Sequence, residues 1–122
     1  MLFSKNKLKL KEYETDYAYY IDATIKNQCF QKAMKCITNK SSKIIKIDDI
    51  FFKDGHGHEI KMLKKLIRYA KRNGYKKIIS DLLSSDDISN LKHKAKQMHL
   101  YRRFGFKILS NNGPYDAAEL IL

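Results

Sequence analysis

A short turn rich in glycine and histidine has the residue types that most directly suggest chemistry. It reads GHGHE over residues 55–59, and residues 60–75, IKMLKKLIRYAKRNGY, follow it with the pattern of a helix. Gly55 and Gly57 make this turn flexible enough to expose its backbone N–H groups. Because N–H groups at the start of a helix attract anions, the arrangement is a physical device for holding phosphate.

The histidines of this turn also raise the question of a metal site. His56 and His58 are two residues apart and lie close to Asp54 and Glu59. Side chains at positions i and i+2 of a turn converge poorly, and no third histidine is local. We therefore expect no metal at this turn.

The helix after the turn must hold those N–H groups against the rest of the fold. It carries one apolar stripe at helical spacing, formed by Ile60, Leu63, Leu66, Ile67 and Ala70. Its other side is basic, with Lys61, Lys64, Lys65, Arg68, Lys71 and Arg72. Such a face is ordinarily solvated. Gly74 follows the last apolar position and is predicted to end the helix.

The remaining elements are predicted from alternation and from residue type. Strands are expected at residues 7–14, 17–26, 32–38, 43–52, 75–82, 106–109 and 117–122. Residues 32–38 also fit a short helix, although we favour a strand. A second helix is expected at residues 92–103, ended by Gly105, after a polar loop at residues 84–90. This order predicts an α/β (α+β) fold, with a mixed sheet and helices on its faces.

Length and composition limit the class of protein. A chain of 122 residues with 43% hydrophobic residues builds one domain, residues 1–122, around one modest core. No apolar run approaches the roughly 20 residues that span a bilayer, and charges near the first residue do not fit a signal peptide. Cys29 and Cys36 are too few for a disulfide framework. We expect a cytoplasmic protein without a membrane partner.

The positive charge of the chain is large and unevenly distributed. The formal net charge is +12. Residues 61–107 contain 14 Lys or Arg against 3 Asp, whereas residues 1–60 contain 11 against 8 Asp or Glu. A basic half of this kind predicts an anionic partner, which is a cofactor, nucleic acid or an acidic protein, and charge alone does not choose among them.

The second helix completes a pattern that belongs to a known family. Residues 93–106 read HKAKQMHLYRRFGF and include His93, Lys94, Tyr101, Gly105 and Phe106. With the glycine turn, helix and strand before it, the sequence over residues 43–110 resembles the GNAT family of N-acetyltransferases. The resemblance implies a mixed, mostly antiparallel sheet flanked by helices, with a shorter N-terminal half than most members have.

The phosphate loop departs from the family pattern at two acidic residues. The family usually has Arg or Gln, two variable residues, Gly, one variable residue, and Gly or Ala. Asp54, Gly57 and Glu59 occupy these three defined positions here. The two carboxylates would repel a diphosphate at short range, and Glu59 adds a Cβ where close approach favours glycine.

The resemblance implies acetyl-CoA as co-substrate and an amine of unidentified nature as acceptor. Backbone N–H groups at the start of the helix would cradle the cofactor pyrophosphate, namely those of Gly55, His56, Gly57, His58, Glu59 and Ile60. The end of the preceding strand would pair with the pantetheine arm through Ile50, Phe51 and Phe52. A backbone N–H there would polarise the thioester carbonyl.

Proton transfer in such a reaction would require a base and an acid. The amine must be neutral, and a carboxylate can accept its proton. Asp48 and Asp49 lie on the strand before the turn, and alternation predicts them on opposite faces, so one of them is the candidate base. Tyr101 lies where the family's general acid protonates the leaving thiolate, although it also fits a residue that only packs on the sheet.

A non-catalytic reading remains open. Asp54, Glu59 and the short N-terminal half are also compatible with a basic GNAT-like module that binds nucleic acid or another anionic partner. Tyr17, Tyr19 and Tyr20 are then candidates for stacking on bases, although a strand rich in tyrosine is also ordinary sheet packing. Edge strands such as residues 7–14 and 117–122 would pair with a second copy, so a homodimer is a candidate assembly.

Overall fold

The computed structural model describes residues 8–50, 57–81, 88–110 and 116–122. These ranges contain seven strands and two helices. The elements are β1 Leu8–Glu14, β2 Ala18–Ile25, β3 Gln28–Asn39, β4 Ile44–Ile50, α1 His58–Arg72, β5 Lys77–Asp81, α2 Ile88–Arg103, β6 Lys107–Ser110 and β7 Asp116–Ile121. No helix in the described ranges is long and apolar enough to cross a membrane.

All seven strands form one sheet in the order β1-β2-β3-β4-β5-β7-β6. β4 and β5 pair in parallel, and every other neighbouring pair is antiparallel. α1 makes the crossover between β4 and β5 that parallel neighbours require. The predicted mixed, mostly antiparallel sheet flanked by helices is therefore confirmed.

Both helices cover the same face of the sheet. A row of buried side chains runs in register across β2 to β5, formed by Tyr19, Cys36, Ile47 and Ser80. Tyr69 of α1 stacks on the first of these residues with ring centroids 4.1 Å apart. Tyr101 of α2 makes a hydrogen bond to the last of them. On the opposite face Ile37 is 52% exposed, and no described helix covers it.

α1 begins earlier than the sequence indicates and ends where predicted. Gly57 is its N-cap residue in a left-handed conformation, with φ 65 and ψ 21. His58 and Glu59, predicted in the turn, therefore lie in the first helical turn. At the other end Gly74 has a φ of 76°, and the N–H of Tyr75 donates to the carbonyl of Ala70 at 3.0 Å. This αL ending satisfies carbonyls that the helix leaves open.

The apolar stripe of α1 is wider than predicted. The helix buries Met62 and Tyr69 in addition to the predicted leucines and alanine, whereas Ile60 and Ile67 are only half-buried. Tyr69 can be buried because its hydroxyl donates to the carboxylate of Glu14. A tyrosine can serve as a core residue when its hydroxyl group has a hydrogen-bond partner.

Three further sequence predictions are corrected or decided. The ambiguous residues 32–38 are part of strand β3, so the short-helix alternative is wrong. Residues 88–90, predicted as loop, are the first turn of α2. Residues 117–122 are not an edge, because β7 lies between β5 and β6. The apolar β7 with its fully buried Ala118 fits this interior position, and the four-residue β6 forms a short edge instead.

Candidate active site

The parallel strands β4 and β5 separate at their carboxyl ends. Their pairing runs from Ile44 with Lys77 to Ile47 with Ser80, whereas β4 continues to Ile50. Residues 48–50 therefore have no partner on β5 within the described ranges. With respect to the described residues, their peptide groups on that side form a strand edge, and such an edge presents N–H and C=O groups that can pair with an extended ligand.

A β-bulge accompanies this separation. Cys36 of β3 pairs with Ile47, and the preceding Lys35 pairs with Asp49, so Asp48 is an extra residue on β4. Asp48 and Asp49 are both exposed, and burial resumes at Ile50. The bulge interrupts the alternation of β4, and Asp48 and Asp49 both line one cavity. Their placement on opposite faces stays a prediction.

That cavity lies where β4, β5 and α2 meet. Its volume is about 220 Å³. Its lining is mixed polar and apolar and consists of Ile47, Asp48, Asp49, Ile50, Ser80, Asp81, Gln97 and Tyr101. The structure thus brings together Tyr101, Asp48, Asp49 and Ile50, which the sequence singles out from separate segments.

Tyr101 is a buried residue in the lining of this cavity. Its side chain is fully buried and packs on Phe106 with ring centroids 4.9 Å apart. Its hydroxyl lies 3.0 Å from Ser80 Oγ, and that serine hydroxyl lies 3.2 Å from the carbonyl oxygen of Asp81. When Ser80 donates its hydrogen bond to this carbonyl oxygen, the Tyr101 hydroxyl donates its own hydrogen bond to Ser80 Oγ.

Either hydroxyl can be the donor between Ser80 and Tyr101, and this choice matters for the acidity of Tyr101. Burial raises the pKa of Tyr101, and a hydrogen bond from Ser80 works in the opposite direction by stabilising the phenolate. A rotation of one hydroxyl from the Asp81 carbonyl to the tyrosine oxygen supplies that bond when the tyrosine loses its proton. Sequence reasoning missed Ser80. The available signal was a polar residue at an inward position of β5, two residues after the buried Ile78.

The start of α1 provides a second functional feature. The helix has no side-chain cap at Gly57. The first N–H groups of an α-helix have no acceptor within the helix, so those of His58, Glu59 and Ile60 are directed out of its end. The His58 side chain is buried, which makes it a packing residue. Glu59 has one carboxylate oxygen buried without a hydrogen-bond partner among the described residues.

The rest of the predicted phosphate and pantetheine segment is outside the described residues. Phe51, Phe52, Asp54, Gly55 and His56 belong to this part. Within the described ranges, no group of three or more His, Cys, Asp or Glu side chains is arranged to hold a metal ion.

A second cavity lies at the opposite end of α1. Its volume is about 300 Å³, and it is lined by Glu14, Lys40, Lys43, Tyr69, Asn73 and Tyr75. It resembles the first cavity in having a buried tyrosine beside a carboxylate. It differs because β4 and β5 are fully paired at this end, from Ile44 with Lys77 onward.

Comparison with known proteins identifies the architecture. No family model and no curated protein sequence matches the chain. Among solved structures, it is similar to an IAA acetyltransferase from Bacillus cereus, with 14% identity, a TM-score of 0.69, and coverage of 95% of this chain and 100% of that one. The chain has a GNAT-like fold. The identity is too low to show more than the fold.

Two further GNAT-like structures extend the comparison to proteins that hold a cofactor. A GNAT family acetyltransferase from Elizabethkingia anophelis with acetyl-CoA bound has 14% identity and a TM-score of 0.64, with 94% and 98% of the two chains covered. A Bacillus subtilis acetyltransferase in complex with CoA has 16% identity and a TM-score of 0.63, with 97% and 99% covered. Other similar structures are longer, and the chain spans 66% of a Methanocaldococcus jannaschii domain.

Proposed function

We propose that this protein transfers an acetyl group from acetyl-CoA to an amine. The observation that carries the proposal is the cavity at the separated ends of β4 and β5. The residues that line it include the buried Tyr101 and the exposed Asp48 and Asp49. The likeness to structures with acetyl-CoA or CoA bound supports the choice of cofactor.

The chain has two features that fit the cofactor. The edge of β4 at residues 48–50, with which no described residue of β5 pairs, suits the amide-containing pantetheine arm, which would add to the sheet like a short strand. A backbone N–H near Ile50 would then polarise the thioester carbonyl. The uncapped start of α1 offers the N–H groups of His58, Glu59 and Ile60 to the pyrophosphate. The predicted contacts of Gly55 and His56 complete this cradle.

Acetyl-CoA supplies the thioester, so that a C–N bond to the amine forms while the C–S bond breaks. The carboxylate of Asp48 or Asp49 accepts the proton that the amine loses. Tyr101 donates its hydroxyl proton to the departing sulfur. The Ser80 hydroxyl then rotates and donates a hydrogen bond to the tyrosine phenolate. A proton from solvent restores the phenol. The two exposed carboxylates favour an acceptor that arrives as a protonated amine, which gives its first proton to one of these carboxylates and its second proton to solvent as the amide forms.

Titration of the protein with acetyl-CoA in a calorimeter tests this proposal. We expect saturable binding with a Kd between about 1 µM and 1 mM, the range in which enzymes usually bind their substrates. Gly57→Asp should weaken binding at least tenfold, because it adds a carboxylate at the start of α1. Gly74→Asp is the matched control, since it makes the same change at a left-handed glycine at the other end of the helix. Absence of binding at millimolar acetyl-CoA would refute the proposal.

A second candidate function is a non-catalytic module for an anionic partner. The observation in its favour is Glu59, which places an acid in the first turn of α1 with one oxygen buried and unpaired among the described residues. A carboxylate there already interacts favourably with the positive end of the helix dipole. It therefore competes with a phosphate for the positive potential at the start of α1. The same titration separates the two functions, because this module would not bind acetyl-CoA.

A further inference from the structure

The two helices hold almost all of the net charge of the protein. α1 contains six Lys or Arg residues and one acid, Glu59, and α2 contains five Lys or Arg residues and no acid. The helices therefore carry eleven of the 25 basic residues and one of the 13 acidic residues. The rest of the chain, with 14 basic and 12 acidic residues, is close to neutral.

The basic residues of α1 form a row on its outer side. Lys61, Lys64, Arg68 and Lys71 are exposed and follow one another at intervals of three or four residues. This spacing places them on one side of the helix, over a length of about 15 Å. α2 adds three exposed residues, Lys96, Arg102 and Arg103. Both helices cover the same face of the sheet, and we call these seven exposed residues together the helical basic surface.

Among the described residues, no acid forms a salt bridge with the row on α1. The salt bridges among the described residues join Lys46 with Asp81, Lys77 with Glu119 and Arg72 with Glu12. None of them includes a member of the row. Like charges at helical spacing repel one another and weaken the helix. A partner that brings a matching row of negative charges would relieve this repulsion.

We propose that the helical basic surface binds the phosphate backbone of nucleic acid without regard to sequence. Outside residues 88–94, the large hydrophobic side chains that are exposed in the described ranges are Tyr17, Ile37 and Ile121, and none is on a helix. Protein interfaces are enriched in aromatic residues and poor in lysine, so the surface does not fit an acidic protein. Membrane-bound helices turn their apolar side to lipid, whereas the apolar side of α1 is buried in the core.

The chemistry of the surface also says how the nucleic acid is bound. Its members are lysines and arginines without an aromatic residue among them, so it offers no platform on which bases stack. Contacts to phosphate give affinity and orientation but carry no sequence information. The row runs along α1 away from Gly57, so nucleic acid and acetyl-CoA occupy different parts of the helix. This inference does not depend on acetyl transfer.

Fluorescence anisotropy with labelled 30-mers tests the proposal. The probes are duplex DNA, duplex RNA and a single strand of each, which together show whether DNA, RNA or both supply the phosphates. We expect binding to at least one probe, equal for unrelated sequences. With four to six phosphate contacts, log K should fall against log salt with a slope of about −4 to −5, a loss of about 10²- to 10³-fold between 50 and 200 mM.

A pair of double variants shows whether the surface or the net charge is responsible. Lys64→Gln with Arg68→Gln removes two charges from the row and should weaken binding at least tenfold while lowering the salt slope by about 2. Lys9→Gln with Lys11→Gln removes two exposed charges from β1 and should leave binding within about twofold. Equal losses in the two variants would overturn the proposal.

Two further measurements would overturn it in other ways. Failure of all four probes to bind at 50 mM salt, together with binding to phosphatidylserine vesicles, would assign the surface to a membrane. Complete displacement of the probe by saturating acetyl-CoA would assign the basic residues to the cofactor. We expect neither, and the anisotropy should be retained with acetyl-CoA present.

Discussion

Two buried tyrosines, one near the end of each helix, occupy comparable places in the molecule. Tyr69 of α1 stacks on a neighbouring ring, lines one cavity, and donates its hydrogen bond to the carboxylate of Glu14. Tyr101 of α2 also packs on an aromatic ring and lines the other cavity, but its hydroxyl meets that of Ser80. The two sites differ mainly in what the hydroxyl contacts.

That difference determines what each tyrosine can do. Burial raises the pKa of Tyr69, and the hydrogen bond to Glu14 raises it further, because the phenolate would face a carboxylate. Tyr69 therefore keeps its proton and serves the structure. Burial also raises the pKa of Tyr101, but Ser80 can donate to its phenolate and lowers that pKa. A tyrosine that must give up a proton needs such a donor beside it, and Tyr101 has one.

Removing the Tyr101 hydroxyl should have the largest effect of all. Tyr101→Phe should lower kcat for acetyl transfer by about 10²-fold or more, the usual contribution of a general acid, with little change in KM. Tyr69→Phe is the matched control and should keep kcat within about twofold. Steady-state kinetics with a primary amine measures both. Equal activity of the two variants would contradict the assignment of a catalytic role to Tyr101 and a structural role to Tyr69.

Removing a carboxylate from the Tyr101 cavity should have the next largest effect. Of Asp48→Asn and Asp49→Asn, the variant that removes the base should lose about ten- to a hundredfold in kcat, and the other should stay near the wild-type value. The loss should shrink as pH rises, because more of the amine is then already neutral. Glu14→Gln in the Tyr69 cavity is the control. Loss of activity in that control, with both aspartate variants active, would contradict this assignment.

Removing the Ser80 hydroxyl should have a smaller effect with a distinct pH signature. In Ser80→Ala the Tyr101 phenolate loses its donor, so the pKa of Tyr101 rises further. A tyrosine acts as an acid only below its pKa, so the alkaline fall in kcat should move to higher pH. A weaker acid should also lower the plateau of kcat, by less than the loss in Tyr101→Phe. If kcat falls at the same alkaline pH in Ser80→Ala as in the wild type, Ser80 has a packing role and does not affect the acidity of Tyr101.

The two tyrosines should also differ in what they contribute to stability. Tyr69→Phe leaves a carboxylate without its donor and should lower the free energy of unfolding by about 1.5–3 kcal/mol, as for hydrogen bonds to charged groups. Tyr101→Phe removes a neutral bond and should cost about 0.5–1.5 kcal/mol. Urea unfolding followed by circular dichroism measures both. The reverse order of the two costs would mean that the hydrogen bond from Tyr69 to Glu14 is no stronger than the bond between the two neutral hydroxyls of Tyr101 and Ser80.

Local patterns were enough to predict much of the fold. Alternating residues marked the strands, apolar spacing marked α1, and Gly74 marked its end because a left-handed ending favours glycine. Tyr101 was selected through the Tyr-x-x-x-Gly-Phe ending of α2, in which Gly105 closes the helix. These features depend on residues close together in sequence, so a sequence alone carries them.

Other features depend on partners that are distant in sequence. The bulge at Asp48 exists because β3 pairs around it, and nothing within KIIKIDDIFF marks one residue as extra. The interior position of β7 follows from pairing with β5 and β6 on either side. Ser80 becomes notable only when α2 brings Tyr101 to it from 21 residues away. Nonlocal pairing of this kind accounts for the features of the cavity that the sequence did not predict.

A crystal structure of the protein with CoA bound would decide between the two tyrosine cavities most directly. The distance to measure joins the CoA sulfur to the hydroxyl oxygen of Tyr101. We expect about 3 to 4 Å, within reach of a proton transfer, with the pantetheine arm along residues 48–50 of β4. A sulfur beside Tyr69, or elsewhere than the cavity of Asp48 and Asp49, would contradict the proposed acetyl transfer.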